Sequence, residues 1–136
     1  MNKLASMVLG LALIGMPHAA LAQEIDGKSL LVCSTVETFD CEPGSRCIRG
    51  LAEAIDAPQF FFLDFDKGMA RTVRAGGEER TSEITATKEG GGQLILQGTQ
   101  AGRAWSATIG QNSGALVLAV AGEDVAFVVF GACTPM

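Results

Sequence analysis

Eight short segments of alternating or continuously apolar residues recur along the chain, separated by glycine-rich breaks. The cleanest alternation covers residues 80–88. There Thr81, Glu83, Thr85 and Thr87 fall on one face and Ile84 and Ala86 on the other, and a period of two is the signature of a half-buried strand. Residues 93–98 place Leu94 and Leu96 together, and residues 103–109 do the same for Trp105, Ala107 and Ile109. Residues 28–36, 59–66, 69–75, 115–121 and 124–133 complete the set. The links are short and hold Gly68, Gly76 and Gly77, the run Gly90-Gly91-Gly92, Gly102, Gly110, Gly114 and Gly122. Short links join sequence neighbours, which predicts an antiparallel meander. Residues 50–56 break the strand pattern and read as one or two helical turns, ended by Pro58.

The run Val125-Ala126-Phe127-Val128-Val129-Phe130 is apolar on both faces, so it belongs inside a sheet or under cover on both sides. Pairing it with the first strand would close the sheet. The expected fold is therefore all-β, an antiparallel meander of about eight strands closing into a small barrel, with one short helix after the first strand. A barrel of eight strands has room for packed side chains or one small ligand.

The N-terminus follows another rule. Lys3 precedes an apolar run over residues 4–16, Pro17 breaks it, and Ala20-Leu21-Ala22 offers a cleavage pattern. The run falls short of the roughly 20 apolar residues that a membrane span needs. Residues 1–22 thus read as a cleaved signal peptide and residues 23–136 as one domain, periplasmic or secreted. The first cysteine, Cys33, lies well past the apolar run, so no lipid anchor is expected and no membrane attachment after cleavage. Glu24-Ile25-Asp26 reads as a short mobile arm. Beyond residue 22 the chain carries nine cations against fifteen anions, a net of −6. That balance disfavours nucleic acid and anionic membranes as partners and leaves proteins open.

Four cysteines in a short exported chain imply two disulfides. Three pairings are possible. Cys41 and Cys47 flank the turn-rich Glu42-Pro43-Gly44-Ser45-Arg46, whereas Cys33 and Cys133 lie in the first and last strands. The favoured pairing is Cys41 with Cys47 and Cys33 with Cys133. Irregular spacing and the lack of an accompanying histidine argue against a zinc site.

The only histidine is His18, within the signal segment, and the chain has no tyrosine. Serine–histidine–aspartate and cysteine–histidine catalysis, histidine metal sites and tyrosine acids are thereby removed. With the cysteines paired, thiolate chemistry goes too. No catalytic residue, metal site or cofactor is expected, and no glycine-rich phosphate loop precedes a helix.

Six residues remain as binding candidates. Asp64 and Asp66 share a strand face and are able in principle to hold a cation or exchange a proton; the competing reading is a solvated face beside a turn. Phe60 and Phe62 lie on that same face, and would form an interaction patch if exposed; the favoured reading is that the helical turn covers them. Arg103 and Trp105 are residue types typical of interface anchors, against core packing for the chain's one tryptophan.

Several stretches resemble an uncharacterised family of small exported proteobacterial proteins. They are the Cys33, Cys41, Cys47 spacing, Pro58-Gln59-Phe60 with Asp64, Leu96-Gln97-Gly98 with Gly102-Arg103-Ala104-Trp105-Ser106, and Phe130-Gly131-Ala132-Cys133. The resemblance implies export and a common fold, without an activity. In architecture alone the chain is similar to periplasmic inhibitors of C-type lysozyme, which are also short, disulfide-tied eight-stranded barrels. Their Ser-Gly…Tyr inhibitory signature is missing here. The expected function is a non-enzymatic binding module that engages a periplasmic or extracellular protein, in the manner of an inhibitor. The alternative is a small-ligand carrier with a pocket lined by Phe and Leu, and an enzyme using carboxylates alone comes third.

Overall fold

The computed structural model describes residues 23–74 and 76–136; the signal-peptide reading of residues 1–22 lies outside them. Nine strands form among the described residues: β1 (Leu31–Cys41), β2 (Ile48–Gly50), β3 (Phe60–Asp64), β4 (Met69–Val73), β5 (Glu79–Gly90), β6 (Gln93–Gln100), β7 (Arg103–Gly110), β8 (Ala115–Ala121) and β9 (Ala126–Pro135). From β3 to β9 each strand pairs antiparallel with its sequence neighbour. β1 pairs with β3 on one side and β9 on the other, closing an eight-stranded barrel. The short β2 is a ninth strand. It pairs with Thr38, Phe39 and Asp40 of β1, beyond the reach of β3. A single 3-10 turn, Ala52–Ile55, leads from β2 into β3.

The seam between β1 and β9 runs from Leu31 opposite Pro135 to Cys41 opposite Ala126, and Cys33 and Cys133 face each other across it in a disulfide. Closure also answers the twofold apolarity of β9, which lies between β1 and β8 with Val129 buried inside the barrel. β1 is longer than alternation predicted, because Val36 is an extra residue between the paired Thr35 and Glu37. A one-residue bulge inverts which side chains face inward. Leu31 and Cys33 are buried before it and Thr38 after it. The Thr38 hydroxyl donates to the Gly50 carbonyl at 2.9 Å. Phe39 turns outward onto Phe130, edge to face at 6.0 Å. At Gly131 a Cβ would collide with the Ser34 carbonyl across the seam.

One end of the barrel is solid. Leu31, Leu94, Ile109 and Leu116 are fully buried there with Cys33. Ile25 joins them at 1% exposure, which corrects the mobile-arm expectation for residues 24–26. Its N–H donates to the Gln111 carbonyl at 2.9 Å, and the Gln111 side-chain amide donates back to the Ile25 carbonyl at 3.2 Å. Burial of the isoleucine and the two hydrogen bonds to Gln111 together hold the segment across the barrel end.

The second disulfide joins Cys41 and Cys47, and no cysteine is free among the described residues. Two such bridges mark a protein that folds outside the reducing cytoplasm. No helix among the described residues is long and apolar enough to cross a membrane.

Replacing both Cys33 and Cys133 with Ser should cost more stability than replacing Cys41 and Cys47, about 4.7 against about 2.4 kcal/mol by loop entropy. Denaturant melts of the two double variants, each against wild type, measure the order; a larger loss from the short bridge would contradict it. Ile25→Ala should cost about 2 kcal/mol or more, as a truncated core residue does, and a change near zero would return residues 24–26 to a mobile arm.

Candidate functional site

The other half of the barrel is hollow. A cavity of about 440 Å³ opens at the end where β7 and β9 begin. Its walls come from the period of two, with i and i+2 residues pointing in from β3, β7, β8 and β9: Phe61 and Leu63, Trp105 and Ala107, Leu118 and Val120, Phe127 and Val129. Ala70, Thr72 and Ser82 line the side formed by β4 and β5, where small residues leave the space open.

The inward polar side chains of Thr72, Ser82 and Trp105 are already engaged. The Trp105 indole N–H donates to the Ser82 hydroxyl at 2.7 Å, which donates in turn to the Thr99 carbonyl at 3.0 Å. The Thr72 hydroxyl donates to the Phe60 carbonyl at 2.9 Å. Trp105 owes its position to Gly98, its partner in register on β6. A Cβ at Gly98 would run into the indole and the Glu83 carbonyl, so only glycine lets the ring lie over that strand.

The mouth is charged. Residues 55–58, between the 3-10 turn and β3, form a lip over the cavity. Asp56 caps the turn in a left-handed conformation at φ 54°. Its carboxylate takes ion pairs from Arg74 and from Arg80, the latter at 3.1 Å, and Arg74 also reaches Glu78 at 3.5 Å. The β4–β5 hairpin thus latches the lip. Arg103 lines the opposite side, with its guanidinium 5.7 Å from the Phe127 ring centroid. Asp40 lies opposite Phe127 across the seam. Its Oδ1 is buried without a hydrogen-bond partner among the described residues.

Of the sequence candidates, Arg103 and Trp105 meet at this cavity. The other four lie on the outer side of β3 or in the turn after it, away from the cavity. Phe62 sits beneath the Arg71 guanidinium at 5.3 Å. Phe60 is 57% exposed, which corrects the expectation that the helical segment covers it. That segment is a single 3-10 turn, and it leaves a shallow recess bordered by Val36, Leu51 and Phe60. Asp64 does not converge with Asp66. It accepts from the Lys67 backbone N–H at 3.1 Å and pairs with the Lys67 ammonium at 3.1 Å, fastening the β3–β4 turn. These two contacts, the side-chain one first, hold its carboxyl below the ordinary 3.8. Asp66 is exposed within that turn. Among the described residues no group of three or more His, Cys, Asp and Glu is placed to hold a metal ion.

Sequence reasoning carried the hollow only as an alternative, a pocket lined by Phe and Leu, and missed the latch. The inward faces were readable from alternation, but alternation does not distinguish a filled interior from an empty one. Asp56 gave no signal, because its partners come from a hairpin 18 and 24 residues further on.

Comparison with known proteins adds no relative: no family model, curated protein or solved structure matches the chain.

Two outcomes follow from these contacts. A carboxylate whose pKa folding depresses stabilises above its unfolded pKa and loses that contribution as pH falls through its folded value. Asp64→Asn should therefore lower the thermal midpoint slightly at neutral pH, and the gap from wild type should close as the pH drops below 3.8. A gap unchanged in acid would assign the effect to something other than charge. Gly98→Ala should displace the indole and cost about 1–3 kcal/mol, the range for overpacking; Trp105 emission and a denaturant melt report both, and an unaltered spectrum would contradict the close approach.

Proposed function

We propose that this protein is a non-enzymatic carrier or sensor of a small apolar ligand, acting in the periplasm or outside the cell. The observation that carries the reading is the apolar cavity of about 440 Å³, open at one end of a closed barrel. Small-molecule sites are typically concave, mostly apolar and roughly 300–1,000 Å³ in volume. The wall supplies aromatic and aliphatic surface from Phe61, Leu63, Trp105, Leu118 and Phe127, and the lip at residues 55–58 supplies a means of access. The polar groups in the wall are engaged with each other and with the backbone, which favours holding a ligand over transforming one.

A second reading, docking of a partner protein, draws on the outer recess where Val36 is 75%, Leu51 74% and Phe60 57% exposed. It is the weaker of the two, because that apolar surface is small. Lysozyme inhibition stays a remote form of it, supported by barrel architecture alone.

Trp105 is the chain's one tryptophan, and with no tyrosine present its emission reports directly on the cavity. Titration with a neutral apolar probe such as decanol should change that emission saturably, with a Kd on the order of micromolar. Ala70→Phe, which adds a ring to the wall, should abolish the change, while Phe60→Ser on the outer face should preserve it. Absence of any saturable change, together with native mass spectra free of bound small molecules, would reject the carrier reading.

A further inference from the structure

We infer that the cavity takes an amphiphile with an apolar body and a single anionic head, the head being held at the mouth by Arg103. This rests on the ligand-binding reading above and specifies its ligand class.

Two sets of observations meet here. The first is depth. Ser82, Thr72 and the Trp105 N–H are engaged, so the inner cavity offers no spare donor and suits hydrocarbon. The second is the charge balance at the mouth. Arg74 and Arg80 share Asp56, and Arg74 also takes Glu78. Arg103 lines the cavity and, among the described residues, no carboxylate stands within ion-pair distance of it. Its described contact is the face of Phe127. A guanidinium presents a rigid fork of donors that matches a carboxylate in bidentate fashion. Here that fork stands at the mouth of an apolar well, across from the lip.

The geometry along β7 sets the order of the parts. Arg103 and Trp105 are two residues apart and both line the cavity, Arg103 at the start of the strand and Trp105 further in. An anionic head at Arg103 would place the adjoining chain against the indole. The volume sets the size: about three times the roughly 150 Å³ that accommodates benzene, hence on the order of eighteen non-hydrogen atoms. The charge balance at the mouth sets the charge of the head. Asp56 is already matched by Arg74 and Arg80, and Asp40, opposite Phe127, keeps one oxygen unpartnered among the described residues. Arg103 thus offers a single unmatched positive charge, which a monoanion such as a monocarboxylate balances.

The test is a Trp105 emission titration of the full mature protein at low ionic strength, with decanoate, decanol and decyltrimethylammonium below their micellar concentrations. Decanoate should bind wild type about tenfold or more tightly than either of the others. Arg103→Gln should bring decanoate down to the affinity of decanol and leave decanol itself within about twofold. Should that variant fold poorly, wild type serves: raising salt from about 20 mM to about 500 mM should weaken decanoate and spare decanol, since screening acts on the ion pair alone. Equal affinities for decanoate and decanol in wild type, or a decanoate preference that survives Arg103→Gln, would overturn the anionic head while the ligand-binding reading stood. Tighter binding of the ammonium compound would overturn it in favour of Asp40. No saturable response to any of the three would remove the ligand-binding reading and this inference together.

Discussion

The pairing of β1 with β9 is the constraint on which everything else hangs. Without it the meander would be an open sheet with two exposed edges and one apolar face uncovered. With it, the inward residues of eight strands share one interior. The disulfide between Cys33 and Cys133 lies within that seam and spans 100 residues of chain. It shortens the most improbable closure in the fold, because loop entropy opposes contacts in proportion to the logarithm of their separation. The bulge at Val36 lets one strand serve both ends of the seam, burying Leu31 and Cys33 at one end and Thr38 at the other.

A barrel of this size has a choice between packing its whole interior and leaving part of it free. Here the two solutions occupy opposite ends. Large aliphatic residues and Ile25 fill one end, whereas alanine, serine and threonine on β4 and β5 hold the other open. The single indole marks the boundary, pinned by Ser82 and seated over Gly98. Its hydrogen bond gives the ring one orientation and uses up the polar atom that an apolar ligand would otherwise leave unpaired.

Much of this was legible in the amino-acid order. The eight barrel strands followed from alternation and glycine spacing, and both disulfides from the position of cysteines at strand ends and across a turn. Less legible was whatever depends on volume or on distant partners. Val36 looked like the end of β1 because a bulge interrupts the period that reveals a strand. Residues 24–26 looked free because one isoleucine carries no periodicity. Phe60 and Phe61 are adjacent and chemically identical, yet one faces solvent and the other the cavity; alternation put Phe60 on the face of Asp64 and Asp66 but gave no sign that the turn before β3 would leave it uncovered. Arg103 and Trp105 stood out by residue type, but the walls that make them a site come from β3, β8 and β9.

A sealed dry void of about 440 Å³ would be expensive: at roughly 24 cal/mol per Å³ its cost would be on the order of 10 kcal/mol, comparable to the whole stability of a domain. The open mouth escapes that cost by admitting water. Water in such a chamber finds few partners, since the wall's polar atoms are spoken for, and an apolar group that displaces it loses little hydrogen bonding. On the proposed reading the chamber would exchange solvent for an apolar ligand past the lip that Arg74 and Arg80 hold through Asp56. A ligand that bound the folded barrel and not the unfolded chain would stabilise the fold by mass action. The rigid seam and stoppered end supply what the hollow end gives up, so that one end of the barrel interior can stay open without the fold losing its shape.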